Sequence, residues 1–164
     1  MNKPGNAAGN NLKTVEKIYE FTLKEFHNVF DYLDKIDQKL ATIISVDAVI
    51  ASILLPNEFF EKSGVLGVKN FLLLLGLILI IISMGVCIRG YLVRDFNFID
   101  TEKTLGDYRE REYSEAISEM AGKLAKAHKD NLKILNKKVR WMNAGFLFLI
   151  AGIILILVSK TRWR

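Results

Sequence analysis

Asn70–Ile88 reads NFLLLLGLILIIISMGVCI, 19 residues without a Lys, Arg, Asp or Glu. As a helix it extends about 28 Å, close to the ~30 Å of hydrocarbon in a bilayer, so it reads as a membrane-crossing helix. Outward from it the pattern recurs once. Trp141–Ser159, WMNAGFLFLIAGIILILVS, is again 19 uncharged residues, with Trp141 and Trp163 placed as interfacial anchors. The 51% hydrophobic content of the 164 residues is therefore unevenly spread, with charges crowded into residues 1 to 39 and 89 to 140. A bilayer imposes that separation and a soluble core does not.

A third apolar run, LATIISVDAVIASILLPN at residues 40 to 57, carries Asp47 in its middle and Pro56 at its end. It reads either as a re-entrant or interfacial helix or as a further crossing, and charge counting favours the crossing. With three crossings, residues 1 to 39 and 89 to 140 share one side and hold 6 and 12 of the 23 Lys and Arg residues. The positive-inside rule then puts the N-terminus in the cytoplasm and the C-terminus outside.

The expected fold is an all-α membrane protein with three transmembrane helices and long amphipathic cytoplasmic extensions of the first and third. Its parts are a mobile tail (1–13), a cytoplasmic amphipathic helix (14–40), a first membrane helix (41–56), an external loop (57–69), a second membrane helix (70–88), a cytoplasmic helical region (89–140), a third membrane helix (141–159) and an external tail (160–164). About forty polar and charged residues precede the first apolar run, which argues against a cleavable signal peptide.

Gly76, Ser83 and Gly90 recur every seven residues, as do Gly145, Gly152 and Ser159. Small residues at that spacing let helices approach closely, so they mark helix pairs within the chain or contacts of a homo-oligomer. From Thr14 to Leu40, Ile18, Phe26, Val29, Phe30, Leu33, Ile36 and Leu40 form an apolar stripe on which Asp37, and further on Asp47, also fall. The later helix has Tyr113, Ile117, Met120, Leu124 and Leu135 on one face and Lys126, Lys129, Lys133, Lys137 and Arg140 on the other. That basic stripe suits anionic lipid; nucleic acid polymers are not expected as partners.

Polar residues interrupt the apolar faces. His128, Asn131 and Lys138 share the side of Leu124 and Leu135, and Asp37 on the facing stripe is an available partner. They form either an internal ion-pair and hydrogen-bond network or the lining of a small-ligand pocket. Asp47, at mid-membrane depth, is either a gating residue or a helix-to-helix hydrogen bond, with Thr42, Ser45 and Ser52 as candidate donors.

No enzyme, cofactor or metal signature accompanies these features. The two histidines, His27 and His128, lie on separate helices, the single Cys87 allows no intramolecular disulfide, and no Gly-rich phosphate loop or metal-ligand spacing is present.

Two segments carry a family resemblance. YLDKIDQKLATIISVDAVIASILL (Tyr32–Leu55) resembles the N-terminal motif of the Pycsar membrane effectors, in which an Asp-x-Lys-Ala-like step leads into a membrane helix; Asp37 and Lys39 match it, with Leu40 standing before Ala41. Tyr113–Val158 resembles the closing unit of that family, an amphipathic helix with a basic end running into the final membrane helix. The resemblance implies an effector of a bacterial antiphage system, activated by a cyclic pyrimidine mononucleotide (cyclic CMP or cyclic UMP) from a partner cyclase, that breaks the integrity of the bacterial inner membrane, with the outer side then the periplasm. Asp37, Lys39, His128, Asn131 and Lys138 are then the candidate ligand-binding residues. A membrane scaffold that binds protein partners through its cytoplasmic helices is the alternative.

Overall fold

In the computed structural model, residues 5–58, 68–93, 96 and 112–161 are described. They form three α-helices, α1 (Gly5–Glu58), α2 (Val68–Tyr91) and α3 (Tyr113–Lys160), and contain no strand. The loop expected at 57–69, all of it beyond Glu58 and before Val68, lies outside the described residues, as do residues 97–111 and the Trp163 anchor.

The described part of α1 runs from Gly5, so residues 5–13 of the segment expected as a tail are helical. α1 then continues unbroken through the amphipathic stretch into the apolar one. α2 closes with Arg89 in its last turn, near the negative end of the helix dipole. The Arg89 guanidinium also lies 5.3 Å from the Trp141 ring centre, a cation–π contact.

Among the described residues, two of the helices, not three, contain a segment long and apolar enough to cross a membrane: Asn70–Tyr91 in α2 and the apolar part of α3. The third expected span is not among them: Asp47 interrupts it and the 16 residues from Ala41 to Pro56 extend only about 24 Å, so length and composition do not by themselves qualify it.

The chain divides into two compact units, Met1–Leu33 with Asp95–Leu135 and Asp34–Arg94 with Asn136–Arg164. In the first, Val29, Leu33, Ala121, Leu124 and Ala127 are buried, and Phe30 makes edge-to-face contacts with Phe26 and Phe96. Ile18 and Tyr113, both expected on buried faces, are exposed; the Tyr113 hydroxyl instead donates to Glu16 at 3.3 Å.

The second unit is packed inside out relative to a soluble bundle. Gly76, Ser83, Cys87 and Gly90 of α2 and Gly145, Gly152 and Ser159 of α3 are buried, while Phe71, Ile78, Ile81, Phe146, Leu147, Ile154 and Leu157 face outward. Only 33% and 22% of the two apolar windows is buried, so neither is the core helix of a soluble protein. An apolar surface of that extent requires lipid around it.

Six of the buried positions of α3, Leu124, Asn131, Lys138, Gly145, Gly152 and Ser159, recur every seven residues, as do Leu33, Leu40 and Asp47 on α1. A seven-residue repeat keeps one seam turned toward its partners over many turns. The small-residue seams close within the chain: a Cβ on Gly76 would stand 2.9 Å from the Gly152 carbonyl oxygen, and one on Gly90 2.8 Å from Trp141 Cβ. These seams therefore pair with one another inside one protomer.

Candidate functional site

α2 runs antiparallel to the apolar parts of α1 and α3, and this register sets one polar centre. Gly90 lies beside Leu40 and Trp141, Ser83 beside Asp47 and Gly145, and Gly76 beside Gly152 and Ile156. Asp47 is completely buried. The Ser83 oxygen is 2.7 Å from Asp47 Oδ2 and 2.9 Å from the backbone carbonyl oxygen of Gly145. One side chain from α1, one from α2 and the backbone of α3 thus meet at a single point. Asp47 Oδ1 has no hydrogen-bond partner among the described residues.

The donors expected for Asp47 do not serve it. Thr42, Ser45 and Ser52 donate to the carbonyls of Gln38, Ala41 and Val49 at 2.9, 2.9 and 2.8 Å, all within α1. A hydroxyl on a helix competes for its own backbone carbonyls, so these groups are locally satisfied and point away from the acid. Ser83 is the residue that sequence reasoning missed as the partner. It was visible as a member of the seven-residue repeat, but its role depends on the antiparallel register of α2.

Ten residues before Asp47 on α1, Asp37 accepts two hydrogen bonds from the Lys138 ammonium, at 2.6 and 2.8 Å. Lys138 is fully enclosed and the Asp37 side chain retains 26% of its exposure. The pair occupies the boundary where the charged parts of α1 and α3 give way to apolar ones. One turn of α3 further on opens a groove of about 420 Å³ lined by Lys39, Thr42, Ile43, Met142, Asn143 and Phe146. Lys39 is exposed on its rim.

The other two candidate ligand residues belong to the first unit. His128 places Nδ1 3.1 Å from the Glu25 carbonyl oxygen, and Asn131 is fully buried. Of the five candidates, the contacts within the second unit unite Asp37 with Lys138 and place Lys39 at the groove. On the opposite face of α3, Lys126, Lys129, Lys133, Lys137 and Arg140 are all exposed, as their spacing predicts. Lys133 donates to Asp130 at 2.8 Å, and this hydrogen bond and charge hold the Asp130 carboxyl below its usual range.

This arrangement defines an α-helical membrane protein in which charged helical segments continue into lipid-facing spans around a buried acid. The chain belongs to the Pycsar effector family: the family model of the Pycsar effector protein domain, PycTM, matches residues 21–161. It is thus an effector of the Pycsar antiphage type, and the match takes in Asp37, Asp47, Ser83 and Lys138. No curated protein matches the chain. No solved structure matches it either.

Proposed function

We propose that this effector is switched on by a cyclic pyrimidine mononucleotide, cyclic CMP or cyclic UMP, made by a partner cyclase, and that it then breaches the inner membrane without catalysing a reaction. The enclosed Lys138–Asp37 pair carries this reading. A nucleotide phosphate is a monoanion able to compete with the Asp37 carboxylate for the Lys138 ammonium. Because α1 and α3 pass without interruption from that pair into the apolar segments, any change in the pair reaches the membrane part directly.

Purified protein in liposomes of phosphatidylethanolamine and phosphatidylglycerol is expected to release an entrapped dye when cyclic CMP or cyclic UMP is added. Cyclic AMP, cyclic GMP and cyclic dinucleotides serve as comparisons. Lys138→Ala is expected to lower nucleotide affinity at least tenfold, about 1.4 kcal/mol, while the protein still inserts. Dye release that no cyclic nucleotide alters would refute the reading.

In this proposal residues 41–56 lie beside the two spans within the bilayer, because Asp47 meets Ser83 and Gly145 in the middle of those spans. The N-terminus is then cytoplasmic and the C-terminus periplasmic, with the basic face of α3 against anionic lipid. A reporter fused after residue 120 is expected to behave as cytoplasmic and one fused at Arg164 as periplasmic, and identical locations would overturn this topology. Assembly into a homo-oligomer would use the outward apolar faces, since the glycine seams are occupied.

A second reading, a scaffold that docks a protein partner, is favoured by Ile18, Phe21 and Tyr32, which are exposed on α1. Nucleotide-dependent dye release from the protein alone distinguishes the two.

A further inference from the structure

We infer that Asp47 resides in the membrane as the neutral acid, and that its carboxyl proton closes a hydrogen-bond chain from α1 through Ser83 of α2 to the Gly145 carbonyl of α3. The site is a proton-binding site whose occupant is part of the packing.

Three observations carry it. The first is a hydrogen count. The Ser83 oxygen stands 2.7 Å from Asp47 Oδ2 and 2.9 Å from the Gly145 carbonyl oxygen. A carboxylate and a carbonyl both accept only, and a serine hydroxyl has one hydrogen to give. With Asp47 ionised, one of these short contacts has no hydrogen, or a single hydrogen is split between two acceptors. With Asp47 protonated both are full hydrogen bonds: Asp47 donates to Ser83, and Ser83 donates to Gly145.

The second observation is the orphan oxygen. Asp47 is fully buried and its Oδ1 has no partner among the described residues. In a carboxylate that atom would carry half of a unit charge with nothing to stabilise it. In the acid it is an uncharged carbonyl oxygen, a far less costly group to leave unpaired.

The third is the lack of a counter-ion. Between Asn70 and Ile88, and between Trp141 and Ser159, there is no Lys, Arg or His. The nearest cation on α1 is Lys39, about two helical turns away and exposed. The titratable group that α2 brings close is Cys87, whose sulfur lies against Gly145, and α3 brings none. Nothing in the spans neutralises a carboxylate, and the proton does.

Loss of that proton would remove one of the two hydrogen bonds and place a bare charge among three helices, so the tie between α1 and the two spans depends on it. The inference rests on the placement of residues 41–56 beside the spans and not on which nucleotide activates the effector.

Infrared spectroscopy of the full-length protein in phosphatidylethanolamine and phosphatidylglycerol liposomes at pH 7 tests it. The wild type is expected to show the carbonyl stretch of a protonated carboxylic acid, absent from Asp47→Asn. Asparagine can donate to Ser83 as the acid does, so Asp47→Asn is expected to keep wild-type resistance to detergent unfolding, whereas Asp47→Leu loses it. Ser83→Ala removes the acceptor of the acid proton and is expected to shift the band in a protein that keeps Asp47. A wild-type spectrum without the band shows an ionised carboxylate, a band unmoved by Ser83→Ala shows an acid whose proton does not reach Ser83, and either result overturns the inference. The spectrum is read without nucleotide, so its failure leaves the effector reading standing, and failure of nucleotide-dependent dye release leaves the band interpretable.

Discussion

Asp37→Ala is expected to cost the folded protein about 3–5 kcal/mol, and Lys138→Met clearly less, although the two changes break the same pair. Lys138 is wholly enclosed, whereas Asp37 keeps about a quarter of its exposure (26%). Removing the carboxylate takes from an enclosed ammonium the group that accepts two of its hydrogen bonds. Removing the ammonium leaves a carboxylate that water can reach, and methionine retains most of the packing of the lysine stem. Unfolding in mixed micelles, followed by circular dichroism, measures both. Equal losses, or a larger loss for Lys138→Met, would contradict the asymmetry.

Gly145→Ala is expected to destabilise the protein by about 1–3 kcal/mol, and adding Cys87→Ala to recover most of that loss. A Cβ on Gly145 would collide with the Cys87 sulfur, while its contact with Cys87 Cβ, at 3.8 Å, is ordinary. Trimming cysteine to alanine removes the obstacle and leaves the acceptable contact. At Gly76 and Gly152 the obstacle includes the facing backbone carbonyl oxygen, 2.9 Å away in each case, so trimming a neighbouring side chain does not rescue alanine there. Gly85 and Gly122 meet nothing within 4 Å and are the controls at which alanine is tolerated. A double-mutant cycle between positions 87 and 145 gives the coupling directly, and a cycle without coupling would refute the steric account.

Much of this was legible in the residues. The spans within α2 and α3 follow from two uncharged runs, and the seams between them from glycines seven apart. Asp37 was readable as an available partner for the polar residues His128, Asn131 and Lys138 on the facing stripe, since buried polar groups need partners, and Lys138 is the one that the hydrogen bonds single out. What was not legible depended on register. Periodicity assigns Asp47 a face but does not say which residue of a distant helix stands opposite, so hydroxyls on its own helix were credited in place of Ser83. Ile18 and Tyr113 were misplaced for a related reason: the angular position of a residue on a helix does not reveal whether a neighbouring element covers that turn. The third span was inferred from loop charges, a constraint on topology, whereas the length and composition of residues 41–56 do not by themselves qualify it.

If residues 41–56 lie beside the two spans as proposed, the depth of Asp47 has an electrical consequence. It lies ten residues along α1 from Asp37, about 15 Å, or roughly half of the ~30 Å hydrocarbon thickness. A unit charge moved across a whole bilayer exchanges about 2.3 kcal/mol with each 100 mV of potential, so a proton entering or leaving at the midplane exchanges about half of that. The occupancy of Asp47 is then coupled to the energised state of the cell, and the tie among the three helices has a different strength in a respiring membrane than in an unpolarised vesicle.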